Sequence, residues 1–182
     1  MYSEQDLMLK VKEGQLGYLA NLFEKNKQGL FSFFVRMGLN RALSEDMVQE
    51  TFVRVLAYRT SYRAESTFKA WLYRIARNTV SDHFRKMGNQ EIHDPFVEQD
   101  FKGENSPLEI LEDEHQHSMF DKALASLPVE QREIIVLSRF QQFSYQDIAE
   151  LLNCNLNTLK TRMRTAIEKL HERYQVLCGE AQ

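Results

Sequence analysis

Arg74, Arg77, Asn78, Ser81 and Arg85 fall on one arc when Thr67–Lys86 (TFKAWLYRIARNTVSDHFRK) is wound at about 100° per residue. Guanidinium forks, an amide and a hydroxyl on one face make a surface suited to phosphate oxygens and base edges. The arc holds no carboxylate, whereas a solvated helix face ordinarily mixes both signs; Asp82 falls nearer the apolar side. Phe68, Trp71, Leu72, Ile75 and Ala76 form the opposite stripe, which predicts a buried aromatic anchor, and the Tyr73 ring is expected at the edge of the cationic face. The plainer alternative is an amphipathic helix whose arginines serve only solubility.

A second set of donors lies near the other end of the chain. Thr158, Thr161 and Thr165, with Asn157 and Arg164, project opposite an apolar stripe of Leu156, Leu159, Met163, Ala166, Ile167 and Leu170. Short hydroxyls and an amide can approach base edges, while Lys160, Arg162 and Lys169 flank them at the spacing of backbone phosphates. Over residues 156–170 four cations face only Glu168. A third set, Asp46, Gln49 and Phe52 at intervals of three with Glu50 close by, makes a slowly rotating strip at the edge of a core face. Such a strip can dock another helix; the alternative is a solvated flank beside a core phenylalanine.

The elements that must carry these residues are helices. Only three prolines and seven glycines punctuate 182 residues, and strict alternation is hard to find. Asp6–Phe23 reads as a helix or a pair broken near Gly14, and the greasy run Leu30–Met37 as core ending at Gly38. Ser44 is placed as the cap of the helix that bears Asp46, with Glu45 and Asp46 in its first turn. Tyr58–Ser66 reads as a loop, with Thr67 capping the cationic helix. Leu127–Pro128 breaks the chain, and Val129–Phe140 follows as one helix. Ser144 and Asp147 cap the short helix Tyr145–Leu152, Asn153–Asn155 forms a tight turn, and Leu156–Tyr174 is long. Two helices joined by about three residues are the helix-turn-helix pattern; a structural three-helix corner is the other reading.

Net charge is −3, but it is unevenly divided. Residues 1–88 hold 14 Lys/Arg against 9 Asp/Glu, residues 89–122 hold 2 against 10, and residues 123–182 hold 7 of each. The chain therefore has a basic front, a strongly acidic middle and a neutral rear. Gly88–Ser106, with Pro95, Gly103 and no sustained period, reads as a flexible acidic linker; Ser106, Pro107 and Glu109 then start a helix running to about Ser126. The expected class is all-α, with two small helical domains over 1–88 and 107–182 joined by a linker at 89–106.

Other chemistries find little support. No Ser/His/Asp arrangement or glycine-rich phosphate loop indicates an enzyme. Glu112, Glu114, His115 and His117 invite a metal, but the two histidines are two apart and would lie on different faces of a helix. Cys154 and Cys178 make no paired or zinc spacing, so neither a metal nor a cofactor is expected and the thiols read as reduced, as in a cytoplasm. No apolar run nears the roughly 18 residues that cross a bilayer, and no basic start followed by an apolar stretch marks a secretory signal.

Three motifs in this order carry a family resemblance. SEDMVQETFVRVL, FKAWLYRIARNTVSDHFRK and LPVEQREIIVLSRFQQFSYQDIAELLNCNLNTLKTRMRTAIEKL together resemble a bacterial RNA polymerase sigma factor of the extracytoplasmic-function (group four) type, over nearly the whole chain except the linker. The resemblance implies a non-enzymatic subunit, monomeric when free, that recruits core RNA polymerase through its β′ clamp helices and β flap and opens promoter DNA. It implies polymerase contacts at Asp46, Gln49, Glu50 and Phe52. A minus-ten site is implied in which the loop Tyr62–Thr67, with Arg63, receives a flipped base, and Trp71, Arg74, Arg77, Asn78 and Arg85 hold the strand. Minus-thirty-five duplex contacts are implied at Asn157, Thr158, Lys160, Thr161, Arg162, Arg164 and Thr165. An acidic connector that threads basic polymerase channels and an anti-sigma partner are further implications. Two departures stand out: the family's turn before the recognition helix usually has Pro and Gly where this chain has Asn155 and Asn157, and its customary Arg is Thr165 here. A stand-alone dimeric helix-turn-helix regulator is the competing reading; it leaves the strip, the cationic helix and the acidic middle without a role.

Overall fold

The computed structural model of the chain describes residues 2–86 and 119–180. Among these residues every regular element is a helix. They fall into two compact units, one built on 2–35 and 41–86 and the other on 119–180, with the short stretch 36–40 grouping with the second. The expected linker at 89–106, the cap at Ser106 and the acidic residues and histidines of 112–117 lie outside the described residues.

In the first unit, α1 (Glu4–Lys12) opens on a reciprocal cap. Ser3 Oγ accepts from the Asp6 N–H at 3.2 Å while Asp6 Oδ2 accepts from the Ser3 N–H at 2.9 Å. These Ser3 hydrogen bonds hold the Asp6 carboxyl below its ordinary value. Gly14, at φ +97°, breaks the chain where the sequence placed a break. α2 (Tyr18–Arg36) then runs unbroken for 19 residues, joining what read as two segments. Gly38, at φ +99°, follows it in the left-handed conformation that terminates helices.

α3 (Arg41–Ala57) begins three residues earlier than expected, so Ser44 is not a cap but a fully buried residue inside the helix. A short 3-10 turn, Arg59–Ser61, interrupts the segment read as loop. α4 (Phe68–Lys86) starts as predicted: Thr67 Oγ1 accepts from the Ala70 N–H at 3.2 Å. Leu30, Phe33, Phe34, Val55, Phe68, Leu72 and Ala76 fill the core of this unit. Tyr73 joins them at 2% exposure, edge-on to Phe33 with ring centroids 5.3 Å apart, and burial pushes its phenol up. The ring expected at the rim of the cationic face is therefore part of the core.

The second unit starts with α5 (residues 119–125) and bends at Leu127–Pro128 into α6 (Val129–Ile135). Arg132 is 5% exposed, and its guanidinium donates to the carbonyls of Ala125 and Leu127, which ties this bend down. The predicted single helix Val129–Phe140 changes pitch midway: Val136–Phe140 is a wider π turn, closed by the Gln141 N–H on the Val136 carbonyl at 3.1 Å. α7 (Tyr145–Leu151) carries the expected Ser144–Asp147 capping box. After Asn153 at φ 51°, Asn155 Oδ1 accepts from the Thr158 N–H at 2.7 Å and caps α8 (Leu156–Glu180). Ile134, Ile148, Ala149, Leu159, Met163 and Ala166 are buried together in the core of this unit.

Candidate nucleic-acid and partner interface

Side chains of α3 and α4 line a groove in the first unit. Its walls are Arg54, Tyr58, Trp71, Arg74, Ile75, Asn78, Ser81, Asp82 and Arg85. Residues 74, 78, 81 and 85 follow the spacing that keeps one helix face together, so the sequence-predicted donors converge here. Arg74, Asn78, Ser81 and Arg85 are exposed; Trp71 is half-buried. Its indole packs edge-on against Tyr62, centroids 5.2 Å apart, and tilts on Phe68 at 6.2 Å. The groove thus offers cations and amide donors beside an anchored aromatic, the combination that suits a single strand with its bases unstacked. Arg77 is half-buried and absent from the groove lining.

Tyr62 opens the loop that carries Arg63 and Thr67, and its side chain has no solvent exposure. Burial raises its phenol, and Lys12 Nζ donates to its carbonyl at 2.7 Å, pinning the loop from α1. Arg63, Ala64, Glu65 and Thr67 are exposed above it.

On α3 the predicted strip is split between surface and core. Asp46 and Gln49 are exposed, and Glu50 is half-buried with its Oε1 on Arg54 Nε at 2.8 Å. Phe52 is 6% exposed and edge-on to Phe23, centroids 5.1 Å apart. The apolar residue presented beside Gln49 is instead Val53, at 61% exposure. A step of three residues advances 300°, so the two steps from Asp46 to Phe52 carry the strip from solvent into the core.

In the second unit, Asn155, Leu156, Asn157, Thr158, Thr161 and Arg162 line an open depression at the start of α8. Thr161 Oγ1 donates to the Asn157 carbonyl at 3.1 Å, leaving its lone pairs to accept from an incoming amino group. Lys160 and Arg164 are exposed but outside this depression, and Thr165 is half-buried. Arg164 lies 3.9 Å from Glu168, an exposed pair of small energetic weight. Sequence reasoning missed Arg54 and Tyr58, which reach the first groove from α3 and the residue just after it, and Asp82, which it placed nearer the apolar side.

No metal-holding group of His, Cys, Asp and Glu occurs among the described residues, nor is any of their helices long and apolar enough to cross a membrane. Residues 22–90 match the family described as Sigma-70 region 2, and residues 117–170 that described as Sigma-70, region 4. The ECF RNA polymerase sigma factor EcfG of Rhodopseudomonas palustris is 34% identical over 142 residues, covering 78% of this chain and 76% of that one. The ECF RNA polymerase sigma-E factor of Haemophilus influenzae is 27% identical over 188 residues, covering 96% and 97%. Among solved structures, the sigma factor RpoE of Bartonella quintana, in complex with the anti-sigma factor NepR, superposes with a TM-score of 0.70 at 27% identity, covering 86% of this chain and 96% of that one.

Proposed function

This chain belongs to the sigma-70 family as an ECF-type RNA polymerase sigma factor, and we propose a division of labour between its two helical units. As a sigma factor it serves transcription initiation. Residues 1–88 dock on core polymerase, with Asp46, Gln49 and Glu50 facing the β′ clamp helices, and then hold the melted minus-ten strand. Arg74, Asn78 and Arg85 bind that strand's phosphates, Trp71 supports its bases, and the loop with Arg63 over the buried Tyr62 receives a flipped base. Extruding a base costs a few kcal/mol, which an electrostatic groove and stacking can offset. Arg77 steadies the helix edge beside this site.

Residues 107–182 grip the minus-thirty-five element as duplex and meet the β flap. Asn157, Thr158, Thr161 and Arg162 enter the major groove, flanked by Lys160, Arg164 and Thr165. The acidic stretch 89–106 connects the two and finds its partner in basic polymerase channels. The chain makes and breaks no covalent bond, uses no cofactor, acts in the cytoplasm, is monomeric when free, and is held in check by an anti-sigma protein.

The observation that carries this reading is the convergence of Arg74, Asn78, Ser81 and Arg85 beside Trp71 in one groove, separate from the capped helix start that serves duplex DNA. In vitro transcription with core polymerase over a random promoter pool tests it. Transcripts should start from a subset of templates sharing two spaced elements. A dimer that binds a palindromic duplex without polymerase, and starts no transcripts, would instead establish a stand-alone regulator.

A further inference from the structure

Two rings line the groove on α3 and α4, and that of Tyr58 is the more open, at 54% exposure against a half-buried Trp71. Trp71 is held by Tyr62 and Phe68, whereas the Tyr58 ring packs on no other ring among the described residues. Its backbone is fixed all the same. The Tyr58 N–H donates to the Arg54 carbonyl at 2.8 Å, and the Tyr58 carbonyl accepts from the Ser61 N–H at 2.9 Å and the Ser61 hydroxyl at 2.8 Å. A ring with two side-chain torsions on a held backbone loses little freedom when a flat group lies against it.

The neighbours of this ring indicate what that flat group is. One turn back on α3, the Arg54 guanidinium is already matched by Glu50 at 2.8 Å and Asp82 at 2.7 Å, so the cation there is balanced and calls for no further anion. On α4, Arg74 and Asn78 stand one turn apart, both exposed, and neither side chain engages another described residue. Their donors remain for a strand's backbone. A neutral π face beside open backbone donors suits a nucleotide whose base has left its stack. We propose that Tyr58 is a stacking platform for one base of the melted strand, in the groove itself and separate from the loop that receives the flipped base. The proposal rests on the reading of this groove as the single-strand site. Every base has a π face, so the platform adds grip without choosing a sequence.

The test uses holoenzyme reconstituted from core polymerase and the full-length chain. Its probe is a fluorescein-labelled single strand carrying the downstream element of a promoter recovered from the random pool. Tyr58→Ala should weaken binding of this strand about tenfold, the size of one lost base–ring stack. Tyr58→Phe keeps the ring and should bind within about twofold of the wild type, whereas Tyr58→Leu keeps apolar bulk without a π face and should fall nearly as far as Tyr58→Ala. Abasic substitution at each position of the strand then locates the base. At one position it should weaken the wild type about tenfold and leave Tyr58→Ala unchanged. Thermal melts of the variants should coincide, because the ring is exposed; should Tyr58→Ala melt early, Tyr58→Leu takes its place in both comparisons. Equal affinity of the wild type and the ring-less variant overturns the proposal. So does a Tyr58→Phe loss as large as theirs, or an abasic scan that runs parallel in both proteins. Wild-type holoenzyme that binds no single strand and starts no transcripts defeats the reading of the groove, whereas active wild type indifferent to the ring defeats only the role of Tyr58.

Discussion

At the scale of single residues, exposure separates side chains that adjoin one another in sequence. Asp46 and Gln49 point to solvent, so replacing both with Ala should leave helical content and melting temperature nearly unchanged. The same variant should weaken core polymerase binding by tenfold or more, measured by pull-down or fluorescence titration. Phe52 differs. At 6% exposure against Phe23, its truncation removes core volume, and Phe52→Ala should cost about 3–5 kcal/mol of stability in a denaturant titration. Equal stability loss in the two variants would contradict this separation.

At the scale of elements, caps and packing decide how the donors are presented. Asn155 stands where the family more often has Pro and Gly, and its side chain caps the first turn of α8 at 2.7 Å. Asn155→Ala should cost about 1 kcal/mol and lower upstream duplex affinity together with it, readable as a shifted melt and a weaker titration. Tyr73 tests the core of the first unit by pH. Its buried phenol ionises only above its ordinary value of 10.0, so the stability it contributes is fully present below that pH. It is lost as pH rises through the higher folded value. Melting temperature should therefore fall above about pH 10, and fall less steeply in Tyr73→Phe.

Helices were readable wherever apolar period and cap coincided, as at Thr67 with α4, at Ser144–Asp147 with α7 and at the Asn155 turn. Ser44 misled because a good capping residue was overridden by tertiary burial one turn inside α3. The π turn at Val136–Phe140 has no composition signature. The cationic arc on α4 was legible from spacing alone, but its full groove was not, since Arg54 joins it from α3 and Tyr58 from the residue just beyond that helix.

For the whole molecule, charge is segregated so that the basic front and the acidic middle oppose each other. Residues 89–122 carry eight more acids than bases, which lowers the attraction of the free chain for any nucleic acid. Exchanging Glu98, Asp100 and Glu104 for their amides should raise the affinity of the free chain for mixed-sequence duplex DNA in low salt. That gain should vanish at high salt. The central claim is that one unit separates the strands while the other holds the duplex. Footprinting of the holoenzyme on a selected promoter tests it most directly, with permanganate reporting unpaired thymines and nuclease protection reporting the upstream duplex. Arg74→Ala/Arg85→Ala should abolish permanganate reactivity and leave upstream protection in place, whereas Thr161→Ala/Arg162→Ala should erase upstream protection first. Loss of both signals to the same degree in both variants would contradict the account.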